Sequence, residues 1–505
     1  MRRWLVLALL PLLAASCGDR EVGRRYRAER DLWGAYWEQR SLGIRPADVG
    51  RERWNALADR FEAIGEEYGA RDASNASSAA HREIRVIAAR ALFAAAQVRA
   101  SMGDSARVDE LYERLSSRFA DLPDVASEIA LAHGILAERR RQFTQAADLY
   151  ASVVGRIPPK PDGQGAEALV LTLPIRIARL RSAAAATGRP VPTEYAAAES
   201  YYQRLLTDPA IDPRLKIETL GQMAQLATDQ RRWSRTIALL REVETELRAM
   251  DQPPREPCEV RFAISSVQRQ AGTDPDSIRA TLASLLDDYP QCTVASQALL
   301  ALAENAAGSG NDEEALGYLD RVLTEHGEDV GAGSQALLGR ARLLEHAERW
   351  AEALDAYHNI AVRYPLSEPA LQAPLEIAAH YQRAGDQAGT DAALAKAEED
   401  YRTFIERYPP SGMTATARER LAQTLVLEKK YDQAVGEMVS LGDDYARTSR
   451  GAMVLLAAGQ IAADQLGDST RAADIFEHIG QLYPETDIGR QAAEFAASLR
   501  SAAAK

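Results

Sequence analysis

The chain has 505 residues, 46% of them hydrophobic and 26% charged, which excludes a disordered, collagen-like or multi-span membrane chain. Its net charge of −13 argues against nucleic acid, because a phosphate binder presents a basic face. Aromatics are sparse at 6%, alanine is abundant and strand formers are thin, so the expected material is helix.

The sequence opens Met1-Arg2-Arg3-Trp4, continues as an apolar run from Leu5 to Ala15, and reaches Ser16-Cys17. Two cations ahead of a short apolar run make a secretory signal peptide, residues 1–16. The run falls short of the ~20 residues that a membrane-spanning helix needs. Its end, Leu13-Ala14-Ala15-Ser16-Cys17, resembles the lipobox of bacterial lipoproteins. The resemblance implies cleavage before Cys17 and a lipid on its thiol. Ala14 departs from the pattern, since the family more often has leucine there. Gly18 follows the cysteine and Asp19 comes one place later, which in that family implies the outer membrane. The competing reading is an ordinary secretory signal with a chance cysteine.

Residues 17–50 form an anchor segment whose stretch Tyr26–Trp37 is aromatic-rich and reads as one helix. It is expected to cap the first repeat. The alternative is contact with a membrane surface, which nearby lipid and many arginines would suit.

From Leu57 onward the sequence repeats. A small or apolar residue is followed four places on by an aromatic or large apolar one, eleven places on by another, and then by a breaker. The starts are Leu57, Val108, Ala146, Ala197, Thr236, Ile278, Ala315, Ala353, Ala397, Ala434 and Ala472. Their spacings are 51, 38, 51, 39, 42, 37, 38, 44, 37 and 38. Four residues turn an α-helix by about 400° and eleven by about 1100°, so the three positions share a face. The core residues expected from this register are Tyr150, Tyr201, Tyr289, Tyr357, Tyr364, Tyr401, Tyr408, Tyr445, Phe476 and Tyr483. Proline after the last aromatic, as in Tyr364-Pro365 and Tyr483-Pro484, stops the helix.

A second amphipathic segment precedes each of these helices: Ser296–Ala307, Gly333–Ala347, Glu368–Arg383, Thr416–Glu428 and Gly451–Leu466 are examples. Polar turns such as Gly385-Asp386 join each pair. One helical pair cannot bury its apolar face alone, so the pairs stack into a solenoid. The pattern resembles the tetratricopeptide repeats, within them an outer-membrane branch whose second helix ends in Tyr-Pro. BamD-type lipoproteins of the β-barrel assembly machine and YbgF/CpoB-type periplasmic proteins of the Tol-Pal system belong to that branch. The Trp…Leu-Gly…Tyr signature of the family's first helix is poor here.

Two segments break the period. Pro158–Gly165 is an exposed loop by composition, and Met250–Pro257 is a proline-rich bend. Both are expected to be plain connections, with a hinge or a partner-binding loop as the alternative. The array then divides into residues 51–250 and 251–505. Cys258 and Cys292 lie 34 residues apart in neighbouring repeats. An oxidising periplasm permits a disulfide, and two small buried hydrophobes are equally acceptable.

Catalytic patterns are thin. The seven histidines scatter, and His346 and His358 flank Trp350 without a third ligand. His326 takes a core position. No phosphate-binding loop, nucleophile elbow or metal-ligand spacing occurs. Glu313-Glu314 and Glu398-Glu399-Asp400 read as solvated helix starts. Lytic transglycosylases also carry a long helical superhelix, but the repeats reach about Ser498 and leave no catalytic domain.

The expectation is an all-α, right-handed solenoid of about eleven helix–turn–helix repeats. It would be non-enzymatic, with no cofactor, metal or small-molecule substrate. It would be lipid-anchored at Cys17 on the periplasmic face of the outer membrane and would bind other proteins in envelope biogenesis. A structural lipoprotein that ties the outer membrane to peptidoglycan or Tol-Pal is the alternative.

Overall fold

The computed structural model describes residues 5–43, 50–70, 78–161, 166–185, 189–446, 448–484 and 486–503, with backbone alone for residues 5–20, 166, 168, 502 and 503. Among the described residues there are 24 helices, and the only β pairing is an isolated bridge between Val154 and Ile157. The chain divides into two compact units, residues 1–255 and 256–505, and the division falls inside the Met250–Pro257 bend.

The first unit holds α1 (Leu5–Gly43), α2 (Arg51–Tyr68), α3 (Ala79–Ser101), α4 (Ser105–Arg118), α5 (Pro123–Arg139) and α6 (Phe143–Ala151). It continues with the short α7 (Ala166–Val170), then α8 (Leu173–Ala184), α9 (Pro192–Leu206), α10 (Pro213–Asp229) and α11 (Trp233–Arg248). The second unit holds α12 (Pro257–Gln270), α13 (Pro275–Asp288), α14 (Ala295–Gly308), α15 (Asp312–Glu325), α16 (Val330–His346) and α17 (Trp350–Arg363). Then come α18 (Glu368–Arg383), α19 (Gln387–Arg407), α20 (Gly412–Leu427), α21 (Tyr431–Asp444), α22 (Ser449–Asp464), α23 (Ser469–Leu482) and α24 (Asp487–Ala503).

Leaving α7 and α24 aside, these make eleven hairpins, and every repeat start of the sequence falls in the second helix of one. Each helix packs mainly on its neighbours in the chain. First helices also touch first helices (α1 on α3, α14 on α16, α16 on α18, α18 on α20), whereas among the described residues no two second helices pack as closely. The first helices therefore form the inner side of each unit. α24 packs on α23 and covers the last hairpin. Residues 499–503 are thus the end of a 17-residue helix that runs past the last repeat motif.

Local chemistry sets the hairpins. Nine hairpin turns place one residue in the left-handed region: Gly103, Arg141, Arg231, Gly272, Gly310, Glu348, Gly385, Lys429 and Gly467. That residue ends the first helix and reverses the chain. Asp104, Asp274, Asp386 and Asp468 then cap the second helix through their carboxylates. Ser411 and Thr414 form a capping box, which starts α20 at Gly412 rather than at the expected Thr416. The cap at Asp386 likewise starts α19 at Gln387, about three turns before its repeat motif, so Glu398-Glu399-Asp400 lie in mid-helix and not at a helix start.

The register is corrected in places. In α9 the buried residues are Tyr195, Ala198 and Tyr202, while Ala197 is exposed and Tyr201 half-buried. Tyr202 is fully buried and donates its hydroxyl to the Leu171 carbonyl at 2.8 Å. Tyr150, Tyr357, Tyr364, Tyr401, Phe476 and Tyr483 are buried as expected, whereas Tyr289, Tyr408 and Tyr445 are half-buried. The last aromatic of the motif is also not on the helix face. Tyr289, Tyr364, Tyr408 and Tyr483 stand just past the helix end, because the proline that follows each keeps it out of the α region. Arginine lies over several of these rings: Arg261 over Tyr289 at 5.2 Å and Arg450 over Tyr445 at 5.1 Å.

The Cys17 side chain, residues 1–4 and the loop residues 162–165 lie outside the described residues. Among the described residues no helix is long and apolar enough to cross a membrane.

Candidate docking surfaces

On the inner side of the second unit, α16 and α18 bring charged groups together. Glu345 accepts from the Tyr357 hydroxyl at 3.0 Å, from Arg383 at 2.5 Å and pairs with His380 Nδ1 at 2.8 Å. Burial pushes the Glu345 carboxyl up, but the bonds from His380, Arg383 and Tyr357 outweigh it and hold the group below its ordinary value. Arg342 pairs with Glu376 at 2.7 Å alongside. The His380 ring stacks on Trp350, with centroids 3.4 Å apart and planes 3° from parallel. The sequence places His346 and His358 beside Trp350, yet the partner comes from the next hairpin; His346 is exposed and lies 3.5 Å from Asp312. Spacing along the chain carries no signal for a stack between hairpins.

A second surface lies between α17 and α19, where the second helices stand apart and α18 forms the floor. The cleft has a volume of about 430 Å³. Leu354, Ala370, Ala373, Ile377 and Ala393 give it an apolar lining, and His358, Asp386, Lys396 and Asp400 stand among its polar residues. Pro374 lies inside α18 and lines the cleft with Ala370. Proline has no N–H to give to the residue four places earlier, so the Ala370 carbonyl loses its usual helical donor. The small side chains leave room for a guest, and Pro374 is the one sequence signal that sets this hairpin apart.

Burial raises the phenols of Tyr202 and Tyr401, and the Lys430 ammonium holds Glu398 down to about 2. Cys258 and Cys292 are joined in a disulfide, with Cα atoms 6.5 Å apart. They and Glu256 are the one trio of metal-type ligands among the described residues, and both sulfurs are occupied by the bridge.

Residues 335–367, most of the α16–α17 hairpin, match the tetratricopeptide repeat family. No curated protein matches the chain in sequence. Among solved structures the chain is similar to a tetratricopeptide repeat protein from Parabacteroides merdae, at 16% identity and a TM-score of 0.29. That match covers 56% of this chain and 98% of that one. It is also similar to BtubC from P. vanneervenii, at 16% identity and a TM-score of 0.33, covering 43% and 92%. Yeast Tom70 matches at 12% identity and a TM-score of 0.28, covering 88% and 96%. One hairpin, residues 335–367, thus matches the tetratricopeptide repeat family, and the same helix–turn–helix architecture recurs in successive hairpins along the described chain.

Proposed function

We propose that the chain is a non-enzymatic protein-binding scaffold of the bacterial cell envelope. Lipid on Cys17 would hold it on the periplasmic face of the outer membrane, and the α17–α19 cleft would receive a segment of its partner. The cleft carries this reading: an apolar floor of small side chains with charged groups beside it fits an amphipathic helix or an extended peptide. The Cys258–Cys292 bridge supports an oxidising compartment, and the Arg2-Arg3, apolar-run and Cys17 sequence supports export and acylation. The partners are envelope proteins, with barrel assembly as the favoured setting.

The test is photo-cross-linking in intact cells from a benzoylphenylalanine placed at the exposed Lys396. A discrete adduct is expected, and Ala393→Arg, which fills the cleft, abolishes it. Adducts with barrel-assembly subunits support the assembly setting. Adducts with Tol-Pal or peptidoglycan-bound proteins move the protein to envelope coordination. Adducts unchanged by Ala393→Arg overturn the role of the cleft.

A further inference from the structure

Among the described residues, the outward face of α1 gathers several large apolar side chains that the fold leaves exposed. Val22, Tyr26, Trp33 and Trp37 are 63%, 67%, 71% and 66% exposed. At 100° per residue they fall within about 60° of one another, and they span about 22 Å of helix. The opposite face of the same helix is docked: Ala28, Leu32, Ala35 and Leu42 are buried in the core with residues of α2 and α3. The exposed aromatics are therefore surplus to folding.

Charge distinguishes what covers them. The chain as a whole is acidic, at −13. On α1, however, the described carboxylates are taken up by neighbours. Glu21 accepts from Ser78, Glu29 from Arg25, Asp31 from Arg30 and Tyr68, and Glu38 from Arg60. Arg27 and Arg40 are exposed and make no ion pair among the described residues. Arg40 continues the aromatic arc, since eighteen residues from Val22 complete about five turns. Tryptophan and tyrosine with unpaired arginine suit the boundary of an anionic bilayer, where the rings sit among headgroups and the cations meet phosphate. The stripe also begins five residues, about 8 Å of helix, after Cys17.

We propose that this face of α1 lies in the headgroup layer of an anionic membrane. The proposal rests on the reading of Cys17 as the acylated residue. The acyl chains supply the anchor, and the α1 face fixes how the first unit meets the bilayer.

Vesicles of phosphatidylethanolamine with about 30% phosphatidylglycerol are the probe, set against phosphatidylcholine vesicles, both with and without brominated acyl chains. The chain from residue 17 carrying Cys17→Ala, and so without lipid, is expected to sediment with the anionic vesicles and to lose tryptophan emission to bromine. Trp33→Ser with Trp37→Ser weakens vesicle binding about ten-fold or more and removes the quenching. Arg27→Gln with Arg40→Gln removes the preference for anionic lipid. All four positions are exposed, so circular dichroism should be unchanged. Absence of sedimentation, or sedimentation indifferent to the tryptophan pair, overturns the proposal. So does self-association that the tryptophan pair abolishes without any vesicle binding, which would assign the face to a second copy. Mass analysis of Cys17 in the protein made with its leader separates the two readings. An unacylated Cys17 with vesicle binding intact removes the anchor and keeps the face. An acylated Cys17 without quenching removes the face.

Discussion

Tyr201 and Tyr202 are adjacent and point about 100° apart on α9, so only one can face the neighbouring hairpin. A motif of spacings fits either residue; Ala198, four residues before Tyr202, and Tyr195, three before Ala198, mark the buried face. Tyr202→Ala should cost about 3–5 kcal/mol, and Tyr201→Ala about 1 kcal/mol or less, in urea unfolding of the first unit. The turn residues offer a second test. Lys429 occupies the left-handed region at φ 62°, which costs a side-chain-bearing residue about 1 kcal/mol. Lys429→Gly is expected to stabilise by about 0.5–1 kcal/mol, whereas Gly310→Ala, at φ 77°, should destabilise by a similar amount. Melting temperatures of the two variants should move in opposite directions. Glu345 contributes acid sensitivity at the α16–α18 surface. Its folded-state pKa lies below its unfolded value of 4.5, so its stabilisation is complete above about pH 4.5 and is lost as the pH falls through the folded-state value. Glu345→Gln should lower protection of α16–α18 by about 1–3 kcal/mol at pH 7 and flatten its decline below pH 4.5, read by hydrogen exchange. An equal decline in both proteins would assign the acid sensitivity elsewhere.

At the scale of elements, the hairpin is legible because apolar spacing, turn residues and proline stops all agree. Glu368–Arg383 was readable to the residue as α18. Boundaries shifted where a cap decided them, as at Ser411 and Asp386, since a capping side chain extends a helix beyond its apolar stripe. The aromatic segment Tyr26–Trp37 was legible as a helix, but α1 is also the first helix of the first hairpin, packed on α2 and α3. Composition marks aromatics without saying which face of the helix is docked. The Cys258–Cys292 bridge ties the start of α12 to the turn before α14 across 34 residues. A loop of that length predicts about 3–4 kcal/mol from restriction of the unfolded chain. Reduction, or Cys258→Ala, should lower the unfolding temperature of the second unit and leave the first unchanged, a contrast that calorimetry with and without reductant measures.

For the whole molecule, contacts confined to neighbouring hairpins make stability a sum of local terms. The division at residues 255 and 256 predicts two fragments of nearly equal size on limited proteolysis near Met250–Pro257, each keeping its helical circular dichroism. Tyr202→Ala should then lower protection in the first fragment and not in the second. By itself the sequence determined the helical class and the eleven second helices, because these follow from local periodicity and turn chemistry. Tertiary structure alone decided that Tyr202 is the core residue of α9, that His380 stacks on Trp350, that α17 and α19 part over α18 to leave a cleft, and that Trp33 and Trp37 face outward. Each of those outcomes depends on which helix lies against which face, and that is set by packing between hairpins rather than by spacing within one.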